Sequence, residues 1–286
     1  MKKIIKNSYK VIIFFVISAF MYHYCTNIYQ PKNMLGKDIR LFRNTPVWKL
    51  AQAVDKENVD KIRLLVKNKN MPIDFQEPRF GHTLLIWATR VGKEKSVETL
   101  LELGADPNLQ NHYDGDNAII EASDFAHYSK DWCNTNILKM ILKYGGDPNS
   151  VSVVKVNDGI NKGIYGGKTP LMNASSNCLK KVKILVDAGA EINYINEYGY
   201  SALKTAFVQQ KADIVKYLLI EKKADFHNVD GILHSLRCWE FSLDSEDYIV
   251  KMEIVEYLKE QGIDYRSYPI PKDNYERFSQ EYLDKY

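Results

Sequence analysis

At 286 residues, with 45% hydrophobic and 26% charged residues and only 15 Gly and 9 Pro, the chain is long enough to bury a core and is neither collagenous nor linker-like. Its formal net charge is +3, of which Lys2, Lys3, Lys6 and Lys10 supply more than the whole. The remainder is close to neutral and offers no basic footprint for nucleic acid.

Those four lysines precede an uncharged apolar run, Val11 to Met21, in the layout of a secretory n-region and h-region. Counted on to Ile28, the stretch without charge approaches the lower limit for a spanning helix. Residues 1–28 therefore read as a signal peptide or a signal-anchor. Bulky Phe20, Met21 and Tyr22 stand where a cleavage site needs small residues, which favours the anchor. Tyr24 before Cys25 disfavours lipidation. Lysines ahead of the run and none after it until Lys32 point the N-terminus toward the cytoplasm and the rest outward. Residues 29–39 read as a linker.

Residues 40–264 repeat. Gly81-His82-Thr83-Leu84-Leu85-Ile86-Trp87-Ala88 leads through Val97 and Leu100-Leu101 to Gly104-Ala105-Asp106-Pro107-Asn108. Gly167-Lys168-Thr169-Pro170-Leu171-Met172-Asn173-Ala174 leads to Gly189-Ala190-Glu191-Ile192-Asn193, and Gly199-Tyr200-Ser201-Ala202-Leu203 leads to Ala224-Asp225. Three weaker units run from Thr45-Pro46-Val47, from Gly115-Asp116-Asn117 and from Leu233-His234. The apolar markers Val47, Leu85, Ile119, Leu171, Leu203 and Leu233 are spaced by roughly 30 to 38 residues except once, a period that decides the architecture. The exception, between Ile119 and Leu171, requires extra residues around 127–134 and a strand-like excursion at 150–166.

Each recurrent residue has a mechanical reason. Thr or Ser caps a first helix while Pro takes its first turn, as at Pro46 and Pro170. Ala88, Ala122, Ala174 and Ala206 let paired helices approach. Gly104, Gly145, Gly189 and Gly262 mark left-handed helix ends. Repeat five has Lys222-Lys223 at that point and repeat one Asn68-Lys69-Asn70, so those ends are expected to fray or extend. Residues 265–286 form a polar, aromatic tail whose spacing from Asp273 predicts a short helix packed on the last repeat.

These units resemble the ankyrin-repeat family, in a bacterial-type form with an N-terminal signal or anchor. The resemblance implies an all-α repeat fold, an ankyrin solenoid of about six helix-turn-helix units with hairpin fingers. It also implies a non-enzymatic protein–protein interaction module without a cofactor. In such stacks the finger tips and the exposed positions of the first helices line the concave side and bind a partner protein. Carried onto this chain, the candidate partner-binding residues are Arg90, Tyr113, Asp116, Phe125, Tyr165, Tyr194, Glu197, Tyr198, Tyr200 and Gln209. The aromatic ones are suited to interface anchoring.

No phosphate-binding glycine loop, dinucleotide fingerprint, zinc-protease motif or nucleophile elbow occurs. Asp114-Gly115-Asp116-Asn117 lacks the later acidic ligand of a calcium loop and reads as a finger tip. The histidines are too dispersed for a local metal site, and His234 alone occupies the signature histidine position, where a structural hydrogen bond is expected. Cysteines occur singly at 25, 133, 178 and 238. Stacking brings Cys133 and Cys178 to one edge of adjacent repeats. A disulfide is allowed there if the domain is exported, and two free thiols are the simpler alternative.

The expectation is a monomeric, membrane-tethered or exported module of the cell envelope, anchored through residues 11–28, with its stack outside the cytoplasmic membrane or in the periplasm. An immunity-type inhibitor of a delivered toxin is a narrower alternative. An enzyme using the 150–166 excursion is the third.

Overall fold

The structure is a computed structural model that describes residues 36–124, 133–157, 162–226, 229–270 and 279–285. The expected anchor at 1–28 lies outside the described residues, and among these no helix is long and apolar enough to cross a membrane.

After a 3₁₀ turn at Ile39–Phe42, helices come in pairs. The first three pairs are α1 (Trp48–Asp55) with α2 (Val59–Lys69), α3 (Leu84–Val91) with α4 (Glu94–Glu102), and α5 (Ala118–Ser123) with α6 (Asn136–Lys143). Next come α7 (Pro170–Ser175) with α8 (Leu179–Asp187), and α9 (Ala202–Val208) with α10 (Ala212–Val215). The last pair is α11 (Val229–Cys238) with α12 (Glu246–Glu260). First helices pack on first helices along the chain, α1 on α3, then α5, α7, α9 and α11, which is the nearest-neighbour stacking of a solenoid.

One stripe of each helix builds a continuous core. Val47, Leu85, Ile119, Leu171, Leu203 and Leu233 are all buried. The second helices bury residues at the i, i+3 and i+4 spacing of a single face: Ile62 and Leu65, Val97, Leu100 and Leu101, Leu138 and Ile141, Val182 and Leu185, Ile254 and Leu258. Each such side chain contributes about 1.5–3 kcal/mol when fully buried. Ala88, Ala174 and Ala206 have no exposed surface, so any larger residue there would push the paired helices apart.

Capping follows the repeat. Thr83, Thr169 and Ser201 accept the backbone N–H three residues on, at Ile86, Met172 and Lys204, and Asn117 does the same for Ile120. Repeat one departs from this pattern. The Thr45 hydroxyl turns back to donate to Phe42 O, and α1 begins after Val47 with no side-chain cap, because the 3₁₀ turn preceding it supplies that acceptor. At the other helix ends Gly104, Gly145, Gly189 and Gly262 have φ between 81° and 90°. Where the glycine is missing, Asn70 and Lys223 take the left-handed conformation themselves, at φ 52° and 55°. In repeat five the helix widens into a π-helical turn, Lys216–Glu221, before Lys223 reverses it.

The 150–166 excursion is an antiparallel pair, β1 (Val153–Asn157) and β2 (Lys162–Gly166), with Val153 opposite Gly166 and Asn157 opposite Lys162. It is an elongated finger between repeats three and four. Cys133, in the inter-helix segment of repeat three, is joined to Cys178 at the start of α8 by a disulfide with Cα atoms 5.7 Å apart. In the last repeat Arg237 Nε donates to Tyr268 O at 2.9 Å, and His234 meets the Tyr268 hydroxyl at 3.4 Å. The hydrogen bond expected at the signature histidine thus goes to the tail, which sits where a seventh repeat would begin. Of the helix expected from Asp273, residues 271–278 lie outside the described residues, and a helix is present at Gln280–Lys285.

Two outcomes follow for stability. A Cβ at Gly104 would meet nothing within 4 Å, so Gly104→Val acts through backbone strain alone and lowers the unfolding free energy by about 1 kcal/mol or more in urea titration. Gly104→Asn costs less. Cys133→Ala removes a cross-link spanning 45 residues and lowers stability by about 2–4 kcal/mol, after which added reductant has no further effect on the melting temperature.

Candidate functional site

The first helices and the fingers present one face, and a single side-chain acceptor at each finger base makes it rigid. Glu77, with no exposed surface, takes the N–H groups of Arg79, Phe80 and His82. Asn111 takes those of Tyr113 and Asp114, and Asn196 those of Tyr198 and Tyr200. In the elongated finger the Ser152 hydroxyl receives Lys168 N. Each loop is thereby closed on itself and does not depend on what its tip carries.

Two regions differ in character. Between repeats two, three and four the face is charged. The Arg90 guanidinium, from the last turn of α3, makes a two-pronged ion pair with Glu121 of α5, with Nε to Oε2 at 3.0 Å, and stands 3.9 Å from Asp114. Asp116 lies 3.6 Å from Lys168. Burial, reinforced by Asp114 and Glu121, pushes the Asp116 carboxyl up to about 7 against the pull of Lys168, and burial likewise raises Glu121. The His82 ring, 3.2 Å from Arg90, is held down to about 4 by burial and by that guanidinium, so it is neutral at physiological pH.

The second region, around repeat five, is apolar and aromatic. Ile195 and Val208 are about half exposed and line a cavity of about 290 Å³ with Leu203, Phe207, Phe226 and Ile232, and Tyr198 and Tyr200, also about half exposed, stand on the adjoining finger. Lys204 Nζ donates to Gly199 O at 2.9 Å and lies over the Tyr200 ring at 4.6 Å, which fixes that ring. Tyr113, in the charged region, is braced edge-on by Phe80 at 5.2 Å.

The sequence-derived candidates thus divide. Arg90 and Asp116 fall in the charged cluster with Tyr113 beside it, and Tyr198 and Tyr200 fall in the apolar region with Glu197 exposed just before them. Tyr194 is half-buried and Gln209 is exposed at the end of α9. Phe125 lies outside the described residues, and Tyr165 is placed by its register opposite Val154. Sequence reading missed Glu121 and the whole finger Glu77–His82, and it put Asp114 and Lys168 in fingers without counting them as contacts. Gly81-x-Thr83 has the same spacing as Gly115-x-Asn117, Gly167-x-Thr169 and Gly199-x-Ser201, and that spacing was the signal that could have found it.

The model of ankyrin repeats matches three overlapping stretches of the chain, residues 23–111, 50–152 and 127–230. The chain belongs to the ankyrin-repeat family. It is also similar to an ankyrin repeat protein of Acanthamoeba polyphaga mimivirus, 29% identical over 152 residues. That match covers 48% of this chain and spans only 25% of the length of the viral protein. Ankyrin repeats make the chain a protein–protein interaction module, and the family is generally non-enzymatic.

The raised Asp116 carboxyl has a signed consequence. Between its ordinary value of 3.8 and about 7 the folded chain holds this proton and the unfolded chain does not, so its contribution is present at low pH and is lost as pH rises through 7. Asp116→Asn therefore stabilises the ankyrin stack relative to wild type by on the order of 1 kcal/mol at pH 8, with the difference vanishing near pH 4 in paired thermal melts.

Proposed function

We propose that this ankyrin stack binds a partner protein through its finger face, and that residues 11–28 tether it to the cytoplasmic membrane or direct its export with the repeats outside. The observation that carries the binding reading is the set of exposed tyrosines on closed fingers. Tyr113 is 62% exposed, Tyr198 52% and Tyr200 42%, and each stands on a loop whose own hydrogen bonds hold it in place. Aromatic side chains already ordered in the free protein lose little entropy on binding and carry a disproportionate share of interface energy. The repeats themselves use the apolar faces of both helices for stacking, which leaves the fingers and first-helix positions free to vary with the partner.

Export is supported by the four N-terminal lysines ahead of the apolar run and by the Cys133–Cys178 disulfide, a bond that persists in oxidising compartments. In intact spheroplasts, externally added protease digests the repeats of a protein placed this way, and a thiol reagent labels Cys133 and Cys178 only after reduction. Full protection, or labelling without reduction, would overturn the placement.

Affinity capture from envelope fractions with the full chain supplies the partner. Alanine at Tyr113, Tyr198 and Tyr200 together weakens that complex by about 2 kcal/mol or more while helical content and melting temperature stay near wild type. Unchanged affinity would move the contact to the elongated finger or the tail.

A further inference from the structure

The finger of residues 111–117 carries two carboxylates, and the nearest guanidinium is engaged elsewhere. Arg90 makes its two-pronged ion pair with Glu121 and stands 3.2 Å from the His82 ring, so its charge is largely taken up. Asp114 and Asp116 therefore share the Lys168 ammonium, which lies 3.6 Å from Asp116 Oδ2, just outside hydrogen-bond range. Asp116 is 6% exposed, and its Oδ1 has no hydrogen-bond partner. A buried carboxylate oxygen in that state is costly, and an added positive charge beside it lowers the cost.

Asp114 shows where that charge would enter. Its Oδ1 accepts from Asn111 Nδ2 at 2.6 Å and from Asp116 N at 3.2 Å, which fixes the carboxylate. Its Oδ2 is left 3.9 Å from Arg90, too far for a hydrogen bond, on a side chain that is one-third exposed. Lys168 is about half exposed and yields readily. Tyr113, the residue before Asp114, is 62% exposed and braced edge-on by Phe80 at 5.2 Å. An ordered, exposed ring next in the chain to an incompletely satisfied carboxylate suits a guanidinium, whose planar fork pairs with carboxylate oxygens while its face stacks on an aromatic. An ammonium is a more strongly hydrated point charge and gains less from the ring.

We infer that this finger is the seat for an arginine side chain of the partner protein, its guanidinium paired with Asp114 Oδ2, its charge completing the compensation of Asp116 and its plane against Tyr113. The seat rests on the reading of the finger face as the binding surface, and it fixes what the partner brings to one finger. Proton release accompanies its occupation. Burial holds the Asp116 carboxyl up to about 7 against Lys168, with Asp114 and Glu121 adding to the rise and Arg90 opposing it. A guest cation favours the ionised carboxylate, so binding expels the proton and tightens as pH rises from about 5.5 to about 8.

The test uses the full chain in detergent, with N-acetyl-arginine amide as probe and N-acetyl-citrulline amide, nearly the same shape without the charge, as control. The backbone amide signals of residues 111–117 and 168 move saturably with the arginine compound and stay in place with the citrulline compound. N-acetyl-lysine amide binds about threefold more weakly or worse. The affinity for the arginine compound falls by about fivefold or more between pH 8 and pH 5.5 in wild type, whereas in Asp116→Asn it is weak and independent of pH. Equal responses to the arginine and citrulline compounds, equal affinity for the lysine compound, shifts spread over exposed carboxylates all along the stack, or a wild-type affinity that ignores pH would each overturn the seat. The captured complex separates this seat from the finger-face reading. In the doubly substituted Asp114→Asn, Asp116→Asn chain the complex weakens by about tenfold or more. If alanine at Tyr198 and Tyr200 weakens it and the double substitution does not, the finger face stands and the arginine seat falls. If neither set weakens it, the finger-face reading itself has failed.

Discussion

Along repeats one to five, each unit is registered on the next by a backbone N–H that ends on an Asp or Asn side chain of its neighbour. Asp106 N donates to Asp74, Asp147 N to Asn108, Glu191 N to Asn149 and Asp225 N to Asn193. Three of these acceptors also reach forward. The amide groups of Asn108 and Asn149 donate to Gly145 O and Gly189 O, and that of Asn193 to Asp225. The glycines are part of the same device, because the left-handed turn at Gly145 or Gly189 leaves a carbonyl that the helix cannot use and the neighbouring amide takes up. The ladder sets the spacing at which the apolar stripes of successive helices meet, and the core depends on that spacing.

Given that spine, and apart from the Gln76 and Gln110 amides that reach from one finger to the next at Gln110 O and Val151 O, each finger is held by closing on itself. Glu77, Asn111, Asn196 and the Ser152 hydroxyl do this with different chemistry at equivalent places. The elongated finger shows how tolerant the arrangement is. The chain leaves at Ser152, pairs with itself through β1 and β2, and returns at Lys168 to the same local contact without disturbing α7. Length added at a finger costs little because its ends are already clamped together.

Described segments outside the repeats are held on the stack at both sides by indole and guanidinium donors. Trp87 anchors Lys37 at the N-terminal side, and Arg237 anchors Tyr268 at the C-terminal side. In repeat six Trp239 donates to Phe207 O at 2.8 Å, and Lys251, fully buried, donates to Trp239 O at 3.1 Å. Burial depresses the Lys251 ammonium to about 6. A buried lysine also occurs in an inner unit, where Lys181 of repeat four is 1% exposed and donates from Nζ to Asp124 O at 2.7 Å.

The architecture was legible in the chain because a repeat announces itself several times. The period, the small residues at Ala88, Ala174 and Ala206, the Thr and Ser caps and the left-handed glycines each depend on local backbone geometry or on a neighbour one period away. The finger tyrosines were legible for the same reason, since their places are fixed by the glycine two positions or fewer away. What only the tertiary structure decided is everything that joins residues a full repeat or more apart by side-chain reach. Arg90 finds Glu121 rather than solvent, Asp116 is buried beside Lys168, Cys133 meets Cys178 across an insertion of irregular length, and Gly36 lies flush against Arg90 and His82. Periodicity places Cys133 and Cys178 on one edge without joining them, and the other contacts do not follow from it at all, because each depends on how far a particular side chain extends across the gap between repeats and on which charges burial leaves uncompensated there.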